Sequence, residues 1–394
     1  MLTSRLGAAS GLYAFRWHCY QALRIELYGR TVCSMTHLGR KSFKGRGALT
    51  NPAGRFERQD LEEVHDGWYE EEQPDTVATT VEPDRARSVI SRNDSPDIPF
   101  EYSINPYRGC EHGCIYCYAR PSHAYMGLSA GIDFETRLFY KENAAKVLEE
   151  ELAHPKYVCK SITIGANTDP YQPVERRMLV TRSVLEVLAR AKHPVSIITK
   201  SAMVLRDLDI LTDMARDGLI SVAISITTLS AETKRALEPR TASPQARLRA
   251  VRELNAAGVP TGVMVAPIIP AITDHEMEAI LTEAAAAKAT WAAYTIVRLP
   301  YEIKDLFRDW LAEHFPDRAA HVMALIQDMR GGKDNDPRFG TRMRGTGPIA
   351  ELLRARFKIA CKRLSLNSGG REVPDRTLLF RPPVRAGSQF HLDL

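Results

Sequence analysis

No stretch of this 394-residue chain approaches the roughly 20 consecutive apolar residues of a membrane-spanning helix, so no membrane role is expected. Cysteine is scarce: Cys19, Cys33, Cys110, Cys114, Cys117, Cys159 and Cys361 are the whole set. An odd number with one tight cluster is a poor disulfide framework in a chain this long. A reducing, cytoplasmic setting suits it better. Acids nearly vanish from the first fifty positions, where Glu26 stands alone among many Arg and Lys. Over the whole chain the net charge is only +5, which permits an anionic partner without demanding one. A fourth cysteine beside the cluster is also missing, and that absence bears most on function.

The chain divides into three parts by texture. Residues 1–99 are expected to be a largely disordered or extended segment. "LYAFRWHCYQALRIELYGR" has the basic, acid-poor character of a transit peptide. Met35, however, opens "MTHLGRKSFKGRGALTNPAGRFE" as a natural start, so residues 1–34 read as an upstream extension. The polar, acidic, Pro-dotted stretch 59–99 reads as an extended approach segment outside the core.

Residues 100–300 alternate strand and helix signals. "EYSINPYR", "SITIGA", "VSIITK", "LISVAISIT", "TGVMVAPII" and "AAYTIV" are short apolar runs rich in Val, Ile and Thr. Helical patterns separate them, such as "RRMLVTRSVLEVLARA" and "SPQARLRAVRELNAAG", the latter with an N-cap Ser, Pro at the first helical position and a Gly stop. Such alternation predicts an α/β fold of βαβ units on a parallel sheet. Six units are too few for a closed eightfold barrel and fit an open, partial (β/α)6 TIM-like barrel, reactive at the C-terminal ends of its strands. Residues 301–394 lose the alternation and read as a basic helical C-terminal extension with two helices, "EIKDLFRDWLAEHF" and "IAELLRARFKIACKRL", and a loose tail.

The cysteine cluster lies in "GCEHGCIYCYAR", just after the first strand. Three thiolates on one loop cannot close a tetrahedral site. They can hold a 4Fe–4S cube with one iron left open to a small molecule, as a catalytic zinc keeps one position for water. The spacing C-x3-C-x2-C is neither the bacterial ferredoxin run, which has a fourth Cys followed by Pro, nor the paired arrangement of a zinc ribbon.

Cys110-x3-Cys114-x-Tyr116-Cys117, with its aromatic before the third Cys and a strand upstream, resembles the signature of the radical S-adenosylmethionine (radical SAM) superfamily. The resemblance extends over roughly 100–300 through "GCIYCYAR", "TDPYQPVE", "TKS", "ISITT", "LEPRTASPQAR" and "VAPIIP". These look like the branch that includes spore photoproduct lyase and is often described as DNA-repair-photolyase-like. It implies Cys110, Cys114 and Cys117 as cluster ligands. It also implies S-adenosylmethionine held near Tyr116, Thr168, Asp169, Lys200, Ser225 and Arg247. The reaction it implies is reductive cleavage to a 5′-deoxyadenosyl radical, followed by hydrogen abstraction from substrate. An external electron donor of flavodoxin or ferredoxin type would be needed. Nucleic acid is the leading substrate class, from the branch and the basic flanks. The lyase of that branch returns hydrogen through an extra cysteine, and no position here matches it, so the substrate stays open.

Other signals have plainer readings beside functional ones. His112, between the first two cysteines, is a loop residue rather than a fourth ligand that would close the site. Cys159 and Cys361 read as packing thiols. Tyr171 stands near the expected radical path but equally suits stacking or packing. In "TRMRGTGPIAELL", Gly345 and Gly347 before a helix, with Arg342 and Arg344, fit either a phosphate site or a glycine turn with a solvated basic face. Two other classes compete with the enzyme: a zinc-stabilised nucleic-acid-binding module using His112 or Cys159, and a simple electron carrier, which would need no barrel.

Overall fold

The computed structural model describes residues 43–56, 76–368 and 376–384. The expectations for residues 1–34 and for the last ten positions lie outside them. Ten strands follow in chain order: β1 (Thr80–Pro83), β2 (Ile90–Arg92), β3 (Tyr102–Ile104), β4 (Tyr107–Arg108), β5 (Arg137–Tyr140), β6 (Ile162–Ile164), β7 (Val195–Thr199), β8 (Ile220–Ser225), β9 (Thr261–Ile268) and β10 (Ala292–Ile296). The main sheet has the order β10-β9-β8-β7-β6-β3-β2. From β3 through β10 its neighbours are parallel and succeed one another in sequence. A sheet that adds each strand on the same side winds as a barrel does, whereas a doubly wound sheet reverses at a switch point. The six expected strands are all present, and the fold is the partial (β/α)6 barrel.

Both faces of these strands are covered, so they read as continuous apolar runs rather than alternating ones. Ile162, Thr163 and Ile164 are all buried, as is nearly every residue of β9. The connecting helices are α1 (Ala144–Leu152), α2 (Val180–Arg190), α3 (Leu208–Arg216), α4 (Ala231–Leu237), α5 (Pro244–Ala256) and α6 (Met277–Ala286). Ser230 caps α4 by accepting the Thr233 N–H, and Ser243 caps α5 by accepting that of Ala246, with Pro244 next in the first turn.

Two expectations are corrected. Residues 76–99 are not wholly outside the core: β2 pairs antiparallel with β3 at the edge of the main sheet, and Val89 is buried beside it. β1 joins β5 and β4 in a second, three-stranded sheet. The apolar signal is weak there because β1 and β2 present mostly exposed residues. "EYSINPYR" is also two strands. It breaks at Asn105, whose side-chain oxygen accepts the Asn167 N–H, so that β4 turns into the small sheet.

Among its described residues the C-terminal part holds three α-helices, α7 (Ile303–His314), α8 (Ala319–Asp328) and α9 (Gly347–Arg363), where the sequence predicts two. α8 buries Val322, Met323 and Ile326. These helices share the barrel's core: Trp310 is fully buried and its indole N–H donates to the Ala236 carbonyl at 3.0 Å. Asn367 exchanges hydrogen bonds with the backbone of Ala292 at the start of β10.

Candidate active site

The cysteine loop is fixed through its backbone. Gly109 and Gly113 have φ of 76° and 67°, the left-handed region that favours glycine. The Cys110 N–H donates to the Phe134 carbonyl at 2.9 Å, and that of Ile115 to the Leu237 carbonyl at 3.1 Å. Gln172, fully buried, donates to the Gly109 carbonyl and accepts the Glu111 N–H at 2.8 Å. Arg120 reaches back to the Cys114 carbonyl at 2.9 Å, takes the Ala130 and Gly131 carbonyls, and pairs with Glu135. The Glu135 carboxylate also accepts the N–H groups of Gly47 and Ala48, both at 2.9 Å. Gly47 lies so close that a Cβ there would fall 1.8 Å from the Gly113 carbonyl oxygen.

Cys110 and Cys114 are buried and Cys117 is partly so, all as unpaired thiols. Burial pushes all three thiols up, and for Cys110 the nearby Asp169 carboxylate and the other two thiols add to the effect. At Cys114 the Glu238 carboxylate also adds to it, while Lys200 and Arg247 oppose it, as do Arg120 and Lys200 at Cys117. Buried soft donors with cations beside Cys114 and Cys117 are a chemical fit for a metal–sulfur centre, which takes thiolates rather than thiols.

Around the loop stand the polar ends of the central strands. Asp169, past β6, accepts the Lys200 N–H and the Thr199 hydroxyl, both at 2.7 Å, and lies 3.3 Å from His112 Nδ1. Burial alone would raise its pKa, but His112 and these donors together hold it below the usual carboxylate range. Glu238, fully buried, is the second node. It accepts from the Tyr116 hydroxyl, the Thr227 hydroxyl at 2.7 Å and Arg247, and lies 3.4 Å from Lys200 Nζ. Burial would raise its pKa too, but Arg247 and Lys200 outweigh it and hold the carboxyl well down.

Of the residues singled out from sequence, Tyr116, Lys200 and Arg247 therefore meet on Glu238, while Asp169 meets the Lys200 backbone. Ser225 ends β8, and its carbonyl accepts from Arg247 at 2.9 Å. Arg247 is buried and saturated by Glu238, Thr241 and two carbonyls. The Thr168 hydroxyl is occupied by the Tyr107 carbonyl at 3.0 Å. Both therefore act as supports within the site. Tyr171 is fully buried with its hydroxyl on Asp207, a packing role. His112 turns to Asp169, and Cys159 lies before β6, at the opposite end of the strands from the loop. Cys159 is therefore no fourth ligand for the loop thiols. The Gly345–Gly347 segment is a turn: both glycines have positive φ, and Arg342 is held by Asp97 at 2.6 Å. Sequence reasoning missed Glu135, Gln172 and Glu238. The last sits in the quoted "LEPRT" but carries no spacing signature.

Residues 104–284, from the end of β3 through most of α6, match the Radical SAM superfamily model. An uncharacterised protein of Mycobacterium tuberculosis is 34% identical over 291 residues, covering 73% of this chain and 82% of that protein. The chain belongs to the radical SAM superfamily. It is an enzyme of radical chemistry whose cofactors are those of the superfamily, a 4Fe–4S cluster and S-adenosylmethionine. An uncharacterised protein of Methanocaldococcus jannaschii is 27% identical, covering 55% of this chain and 77% of that one. Among solved structures, spore photoproduct lyase complexed with dinucleoside spore photoproduct aligns with a TM-score of 0.53 at 17% identity, over 72% of this chain and 79% of that one. The two share a fold. Among the described residues no helix is long and apolar enough to cross a membrane.

Proposed function

We propose that this radical SAM enzyme holds its cluster on Cys110, Cys114 and Cys117, cleaves S-adenosylmethionine reductively beside them, and abstracts hydrogen from a nucleic-acid substrate. The observation that carries this reading is the tie between the thiol loop and the strand ends. His112 meets Asp169, Tyr116 meets Glu238, and Glu238 stands 3.4 Å from Lys200. When bound, the two cofactors supply a 5′-deoxyadenosyl radical, given one electron from a flavodoxin- or ferredoxin-type donor.

The chain's own residues have distinct tasks. The cysteines give up protons to become ligands, favoured at Cys114 by Lys200 and Arg247 and at Cys117 by Arg120 and Lys200. Lys200, a partly exposed side chain whose Nζ donates to the Ala266 carbonyl at 3.0 Å, offers its ammonium to a ligand carboxylate, with the Ser225 hydroxyl on the next strand. Asp169 fixes the Lys200 backbone. Tyr116 lines the adenine side, and Thr168 and Arg247 hold strand-end backbone and Glu238 in place. The buried surroundings exclude water from the reacting centre. The unpaired thiols fit a reducing, cytoplasmic setting.

The test is anaerobic reconstitution with iron and sulfide, then reduction in the presence of S-adenosylmethionine. Brown protein that forms 5′-deoxyadenosine, and a Cys114→Ala variant that does not, support the reading. Transfer of deuterium from labelled nucleic acid into the 5′-deoxyadenosine supports the substrate class. Colourless protein carrying zinc, or label arriving from a peptide instead, would overturn the corresponding half.

A further inference from the structure

Beyond β10 the chain builds a cleft of about 790 Å³ that the cofactor site does not use, lined in part by Arg298, Tyr301, Lys304, Lys333 and Arg342. Its wall is set by Arg330, a buried guanidinium that donates to the carbonyls of Ile296, Val297, Thr341 and Arg342 and so welds the 341–343 turn to the end of β10. The charges in the cleft do not balance. Arg342 is neutralised by Asp97, and the lining carboxylate of Asp334 is taken by Arg308 at 2.7 Å. Arg298, Lys304 and Lys333 have no carboxylate at ion-pair distance among the described residues, although Asp97 acts on Arg298 and Asp334 on Lys304 from farther off, each of them already held by another arginine. Arg298 is half-buried, its Nε has no hydrogen-bond partner, and Nη1 faces only the Met343 sulfur at 3.7 Å. A half-buried cation whose nearest carboxylate is already paired with another arginine is costly unless a ligand supplies a closer counter-charge.

The rim has a second, independent character. Phe56, Tyr125 and Tyr301 are 56%, 75% and 66% exposed. They gather around the Arg55 guanidinium, which is paired with Glu302 at 3.0 Å and lies 4.2 Å from the Tyr301 ring centroid and 4.9 Å from that of Phe56. Phe339, also exposed, lies under Arg342 at 4.6 Å. Exposed rings interleaved with guanidiniums, next to uncompensated cations, form a surface on which unstacked bases lie while phosphates are neutralised. The cleft also borders the cluster loop: Arg298 stands 5.7 Å from the ring of Tyr118, the residue after Cys117.

We infer that this cleft is a subsite for single-stranded or unpaired nucleic acid, with a backbone phosphate on Arg298, Lys304 and Lys333 and a base on the Tyr301–Phe56–Tyr125 surface. This deepens the function proposed above and rests on it for the chemistry. A stacked duplex hides the base faces that the rings would cover, so unpaired strands are the class selected.

The experiment uses the reconstituted full chain and fluorescence anisotropy with a labelled single-stranded oligonucleotide, a duplex of the same sequence and a polyglutamate peptide of matched charge. The single strand is expected to bind best. Arg298→Ala weakens it about tenfold and lowers the salt slope of log K by about 0.7. Lys304→Glu combined with Lys333→Glu, both exposed positions, weakens it further and guards against misfolding at Arg298. Tyr301→Ala weakens binding roughly tenfold through lost stacking and leaves the salt slope unchanged. Equal binding of duplex or polyglutamate, or variants that bind as the parent does, would overturn the subsite. Parent protein that forms 5′-deoxyadenosine yet binds no oligonucleotide sinks the subsite alone. Parent protein that binds the strand and cleaves no S-adenosylmethionine sinks the enzymatic reading alone.

Discussion

Arg120 and Glu135 pair directly behind the cysteine loop, with neither side chain exposed to solvent. Removing one charge of a buried pair strands the other, at about 3–5 kcal/mol. Glu135→Gln is therefore expected to lower the thermal midpoint of the metal-free protein and to reduce iron incorporation. An unchanged midpoint would show that the pair does not hold the loop.

Gln172 clips both sides of Cys110 through one amide. Gln172→Leu leaves a buried carbonyl and a buried N–H without partners, roughly 1–3 kcal/mol each. The fold is expected to survive, while bound iron passes to a chelator faster than from the parent. Gln172→Glu keeps an acceptor for the Glu111 N–H and should fall between the two. Release at the parental rate in both variants would refute the clip.

Glu238 balances Lys200 and Arg247 at once. Glu238→Gln removes the charge while keeping the shape. The affinity for S-adenosylmethionine is expected to fall roughly 10- to 100-fold, the scale of one charge-assisted hydrogen bond. The iron–sulfur absorbance should persist, which separates positioning from collapse. Isothermal titration of the reconstituted variant checks it.

His193 is buried against Tyr157 and Phe380, its Nε2 on the Tyr157 hydroxyl and its Nδ1 on the Pro194 carbonyl. Burial lowers its pKa from 6.5 to about 4. Its contribution to stability is complete above pH 6.5 and is lost as pH falls towards 4, because the unfolded chain takes the proton first. The loss is about 3 kcal/mol when fully developed. Denaturant titrations of His193→Gln between pH 7 and 4 should show a shallower acid decline than the parent.

Much of this architecture is written in local pattern. The six parallel strands show because both of their faces are buried, and α5 shows because Ser243, Pro244 and Gly258 mark its ends. The three thiols show because their spacing is chemical. What stays hidden depends on distant pairing. β1 and β2 lie at sheet edges with exposed faces, so no apolar period betrays them. α8 is hidden because only a short turn at Pro316–Arg318 parts its apolar residues from α7. Glu135, Gln172 and Glu238 are ordinary polar residues until folding buries them against partners as far as 122 positions away.

Gly47 and Ala48 meet Glu135 across 88 and 87 positions of chain. During synthesis those two amides emerge long before the carboxylate they grip, so the thiol loop cannot take its final form until its leading and trailing halves are both out. A shortened protein starting at residue 76 would retain every parallel strand and all three loop cysteines. It would nevertheless leave Glu135 without two of its donors, a barrel with a slack hearth.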